Sequence, residues 1–165
     1  MELVIAKEKE KLKNELQNWF NSMKKHLEVI PMKIQEQIKL LENIRATNYE
    51  ELNQIQHALA VLSVAEELQK EFSEINKWNW HPKQTSDKDL ADLTGYINGE
   101  IFLNAEITTS LKPIGTIDKR MKNTLVSLNE KSGIKFYFVR SIEMKKRANT
   151  KITKANWDIK VRIIN

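Results

Sequence analysis

One hundred and sixty-five residues suffice for one ordinary domain with a useful core, but not for two full domains and a linker. A net charge of +5 leans the average field toward polyanions such as nucleic acid or an anionic membrane surface. Cysteine is absent, which excludes disulfides, zinc-thiolate and iron–sulfur centres and thiol nucleophiles; His26, His57 and His81 are too scattered for a His-x-x-x-His pair, so oxygen ligands are expected for any metal.

Taken in order, Leu12, Leu16, Trp19, Met23 and Leu27 recur every three or four residues and predict an amphipathic helix from about Glu2 to Leu27. Pro31 favours a new helix start, with Ile34, Ile38, Leu41 and Ile44 as its apolar stripe. Thr47 before Glu50, or Asn48 before Glu51, has capping-box spacing and predicts a third helix. Leu52, Ile55, Leu59, Leu62, Ala65, Leu68, Phe72 and Ile75 give that helix a wide apolar face. Heptads are not sustained, so these helices are expected to fold back on one another or on a later sheet rather than form a coiled-coil arm.

Trp78-Asn79-Trp80-His81-Pro82 reads as a short extended segment whose tryptophans serve the core, with base stacking as the alternative. Polar Gln84 to Asp89 reads as a loop. A hairpin follows, with strands near Leu93 to Ile97 and Glu100 to Thr108 about an Asn98-Gly99 turn. Thr116 is a reasonable N-cap for a helix to about Lys131, ended by Ser132-Gly133. Ile134 to Val139 predicts a buried strand, Ile142 to Asn149 a short basic helix, and the alternation of Trp157, Ile159, Val161 and Ile163 a last strand. The division expected is a helical region, 1–77, and an α/β region, 78–165, joined as one compact unit.

The hairpin is where chemistry is expected. Period-two alternation puts Glu106 and Thr108 on the same face of its second strand, and the tight turn brings Asp92 back beside Glu106. Two neighbouring carboxylates repel, and a divalent cation is the usual means of keeping both ionised. Such a cation activates water and stabilises charge on a phosphodiester.

This order, a helix with acidic residues, then Asp92, a hairpin, Glu106 with Thr108 two residues on, a helix and another strand, resembles the PD-(D/E)XK nuclease superfamily of many restriction endonucleases. The resemblance covers roughly Ala65 to Val139. It implies an α/β (α+β) fold, in which the N-terminal helical region is followed by a restriction-endonuclease-like mixed β-sheet flanked by helices. It further implies a magnesium- or manganese-dependent DNA endonuclease, working as a homodimer because one active site cuts one strand. Asp92 and Glu106 would then bind the metal, with the Ile107 carbonyl and a helical glutamate completing the site. Glu71 borders the apolar helix face and is the expected glutamate. Thr108 stands where the family usually has lysine, and Lys112 or Lys119 is expected to supply the missing charge near the water or phosphate.

Arg140, Lys145, Lys146 and Arg147 begin a strongly basic C-terminal third, so they join Lys112 and Lys119 as expected phosphate contacts. Thr108 keeps open an inactive nuclease-fold module that binds or regulates DNA, and the helices keep open an assembly or partner-binding role. No run reaches the length of a membrane span, and Lys7-Glu8-Lys9-Glu10 comes too soon for a signal-peptide core. The cytoplasm, with no membrane partner, is the expected setting. With four glycines no phosphate-cradling loop or dinucleotide motif is present, so no nucleotide cofactor is expected.

Overall fold

The computed structural model describes residues 2–28, 33–81 and 90–164; the loop expected at Gln84 to Asp89 and the start expected at Pro31 lie outside them. Two helices come first, α1 (Ile5–Glu28) and α2 (Ile34–Glu71), then strands β1 (Lys77–Trp80), β2 (Leu93–Ile97) and β3 (Glu100–Ile107). Helix α3 (Thr116–Glu130), strand β4 (Ile134–Val139), helix α4 (Ile142–Ala155) and strand β5 (Lys160–Ile163) complete an α+β fold with N-terminal helices.

The sheet is mixed, with its strands in sequence order. β1, β2 and β3 form an antiparallel meander, and β4 and β5 add parallel. Parallel neighbours need a crossover long enough to hold a helix, which α3 and α4 supply. Asn98 and Gly99 have φ of 52° and 88°, the left-handed conformation at both central positions that a tight hairpin turn demands.

β4 shows why the sheet has helices on both faces. Phe136 and Phe138 join one buried cluster with Leu12 of α1, Val61, Leu62 and Leu68 of α2, Trp80 of β1 and Leu103 of β3. Tyr137 and Val139 join a second with Met121, Leu125 and Leu128 of α3 and Met144, Ala148 and Ile152 of α4. A strand buried on both sides reads as a continuous apolar run, as Phe136 to Val139 does. The first cluster mixes residues of 1–77 and of 78–165, so the helical region and the sheet share a core. Trp78 and Trp80 lie within it, which excludes the base-stacking alternative for both.

Several expected boundaries are corrected. The second and third helices are one, because nothing between Ile44 and Glu50 breaks a helix; Asn48 turns its side chain onto the Ile44 carbonyl at 2.8 Å instead of capping. α4 runs six residues past Asn149, since Met144, Ala148 and Ile152 continue one buried stripe, and it stops at left-handed Asn156. β5 starts only at Lys160; Trp157 instead donates its backbone N–H to the Ile152 carbonyl at 3.1 Å, part of the turn that ends α4. The first turns of α2 leave Ile34, Ile38 and Leu41 exposed. Among the described residues, no helix is long and apolar enough to cross a membrane.

Candidate functional site

The hairpin register fixes the site. Leu93 pairs with Ala105, so Asp92, just before β2, falls opposite Glu106 near the end of β3. Asp92 is locked there, its backbone carbonyl accepting from the His81 N–H at 2.9 Å and its Oδ2 from the Ile107 N–H at 2.7 Å. β3 continues through a bond from the Thr108 N–H to the Phe138 carbonyl at 2.9 Å, which carries the chain out toward α3.

Glu106 is half-buried on the α3 side of the sheet, beside Tyr137, its register partner on β4. Burial first, and then the facing Asp92, push its carboxyl up to about 8, against the opposing pull of Lys131 and His57. Two residues earlier on the same face, Asn104 is satisfied by Thr94 Oγ1 at 2.9 Å and the Ser132 carbonyl at 3.0 Å. The polar face of β3 thus has a settled structural end and an electrostatically strained end.

α2 brings His57 to this strained end. Its Nε2 lies 3.3 Å from Asp92 Oδ2 and 3.2 Å from the Ile107 carbonyl oxygen, and the ring is buried. A carbonyl oxygen only accepts, so a bond to Ile107 requires the proton on Nε2. Sequence spacing had discounted this histidine. Its signal is a lone imidazole set among Ala58, Ala60, Val61 and Leu62 on the buried part of α2.

Opposite α2, the buried hydroxyl of Tyr137 is hydrogen-bonded to Thr108, and burial raises this phenol well above its ordinary value. It is therefore a neutral group throughout the physiological range. Between α2 and α3 these groups border a cleft of about 990 Å³. Its described lining includes four carboxylates, Glu50, Asp92, Glu106 and Glu130, and only one Lys or Arg side chain, Arg120.

The other expected site residues are placed elsewhere. Glu71 is corrected: fourteen residues beyond His57, about 21 Å along the helix, it grips Arg162 of β5 through both oxygens, one contact at 2.7 Å. Arg162 also covers the Phe136 ring at 4.6 Å, so this acid buttresses the sheet. Lys112 and Lys119 are exposed and outside the cleft lining, as are Arg140 and Lys146; Lys145 is half-buried and also outside it. Arg147 forks onto Asp118 at 2.7 and 3.1 Å, with Lys151 on the same carboxylate at 3.0 Å.

Among the described residues, no group of three or more His, Cys, Asp or Glu side chains is arranged to hold a metal ion. What the cleft does contain is a facing carboxylate pair with an adjacent backbone carbonyl, a donor set that suits a largely hydrated magnesium or manganese ion. The raised Glu106 shows how poorly the pair tolerates double ionisation without a cation. No family model, no curated protein and no solved structure matches the chain.

Proposed function

We propose that the protein is a metal-dependent DNA endonuclease of the restriction-endonuclease type, hydrolysing phosphodiester bonds in the cleft between α2 and α3. The observation that carries this reading is the half-buried, facing pair Asp92 and Glu106 at the end of a β-hairpin. The order of elements supports the likeness to PD-(D/E)XK nucleases, since a helix, three antiparallel strands, a crossover helix and a parallel strand follow one another around that pair.

Asp92 and Glu106 would hold Mg2+ or Mn2+ through carboxylate oxygens, with the Ile107 carbonyl beside them. When bound, the cation supplies polarisation of the phosphate and a more acidic water. His57 orients the Asp92 carboxylate by facing its Oδ2. Without the cation Glu106 keeps its proton up to about 8, and binding the cation would release that proton and leave the carboxylate ionised. The Tyr137 and Thr108 hydroxyls form a neutral dipole pair where the family usually has a lysine, and they orient solvent without adding charge.

DNA is the proposed substrate and a homodimer the proposed assembly, the latter supported by exposed Ile34, Ile38 and Leu41 on α2. A cytoplasmic setting suits a chain without cysteine. The second reading, a nuclease-like module that binds DNA without cutting it, is favoured by Thr108 alone. Incubating the purified protein with supercoiled plasmid and Mg2+ or Mn2+ tests the two. Nicking that disappears in Asp92→Asn and Glu106→Gln is expected; cleavage that persists in both variants refutes the assignment, and salt-sensitive binding without cleavage selects the second reading.

A further inference from the structure

We infer that Arg120 is the residue that holds a nucleic-acid phosphodiester in the cleft. The inference rests on the nuclease reading of that cleft and adds the group that anchors its substrate. Four carboxylates border the cleft, and a phosphodiester entering it meets repulsion that a donor of opposite charge must offset. Arg120 is the one Lys or Arg among the described lining residues.

The other groups that could take this role lack either the charge or a place in the cleft lining. Thr108 and Tyr137 are hydrogen-bonded to each other and carry no positive charge. Arg147 and Arg162 do not line the cleft. Lys119 precedes Arg120 by one residue, which turns it about 100° around α3, and it does not line the cleft.

The helix also extends the contact. Arg120, Thr124 and Ser127 follow at spacings of four and three along α3, and all three line the cleft. Such spacing puts a guanidinium fork and two hydroxyls on one helix face. That row fits the oxygens of a sugar–phosphate backbone and carries no base readout, so the contact is independent of sequence.

The test is fluorescence anisotropy of the full chain with a labelled DNA oligonucleotide, with Ca2+ replacing Mg2+, across a salt series, alongside cleavage with Mg2+ or Mn2+. Arg120→Gln is expected to weaken binding about tenfold and to reduce the salt slope by about 0.7 to 0.9, the loss of one phosphate contact. Arg120→Lys, which keeps the charge without the fork, should fall between wild type and Arg120→Gln, and Lys119→Gln should bind like wild type. Binding unchanged in Arg120→Gln, an equal loss in Lys119→Gln, or no DNA binding by the wild type overturns the inference. Should Arg120→Gln fail to fold in a thermal melt, Arg120→Lys decides, with wild-type binding overturning the inference and weaker binding supporting it. Wild-type protein that binds in an Arg120-dependent way but never cuts refutes the endonuclease and leaves the phosphate contact standing. Cleavage with unchanged KM and kcat in Arg120→Gln does the reverse.

Discussion

At the last turn of α2 a carboxylate meets a guanidinium; four turns earlier the same helix serves a place where a carboxylate meets another carboxylate. Glu71, half-exposed, is held below the ordinary glutamate range first by its hydrogen bonds to Arg162. Glu106, opposite Asp92, is pushed up to about 8, by burial first and then by that facing carboxylate. An acid that has found a cation is doing a structural job, whereas an acid buried against a second acid stores electrostatic work that only a proton or a metal ion relieves.

The sharpest way to break this contrast is to neutralise each acid in turn. Asp92→Asn and Glu106→Gln should each lower metal-dependent cleavage by about 100-fold or more, while Glu71→Gln leaves the rate unchanged in a plasmid-nicking time course. Equal losses from all three would erase the distinction between the two ends of α2.

Proton linkage probes the same pair through stability. Glu106 holds its proton more tightly in the folded protein than in the unfolded chain, so its contribution is whole below the ordinary value of 4.5 and is lost as pH rises to about 8. Denaturant unfolding should show wild type losing on the order of a few kcal/mol across that window relative to Glu106→Gln, which has no carboxyl to ionise. Mn2+ should raise the melting temperature more above pH 8 than below pH 5, and the variant should lose that increment. A pH-independent difference between wild type and variant would mean that neither burial nor Asp92 raises the Glu106 carboxyl.

His57→Ala comes next in size. It removes a buried ring that faces both Asp92 Oδ2 and the Ile107 carbonyl, and should cost about 1 to 3 kcal/mol by urea unfolding, with about a 10- to 100-fold loss of cleavage. The smallest effect belongs to the sheet-edge pair. Glu71→Gln should cost about 0.2 to 1 kcal/mol, declining as salt is added, because the pair is open to solvent.

The parts legible from sequence were those whose geometry is local. Alternation and an Asn-Gly pair place Glu106 and Asp92 together because a two-residue turn fixes register over the few residues on either side. Continuous apolar runs likewise revealed β4. Glu71, His57 and Arg120 depend instead on how far along a helix, and at what rotation, the helix meets the sheet. In a 38-residue helix every turn offers a candidate, so the choice between Glu71 and His57 belongs to tertiary packing. The merging of two expected helices into one has a similar source, since Thr47 and Asn48 cap or continue a helix according to what the chain does on either side.

The two outer strands meet solvent by different means. β5 carries Lys160 and Arg162, long charged side chains that oppose the docking of another strand, whereas β1 is overlaid by Glu2 and Leu3 through a bridge to Asn79 and a 2.8 Å bond from the Leu3 N–H to the Trp78 carbonyl. That overlay makes a two-residue segment the guard of a tryptophan-bearing edge strand. Fusions or trimming that displace Glu2 and Leu3 would therefore uncover a template for strand addition and invite aggregation, while the carboxylate cleft, which lies on other strands, stays intact.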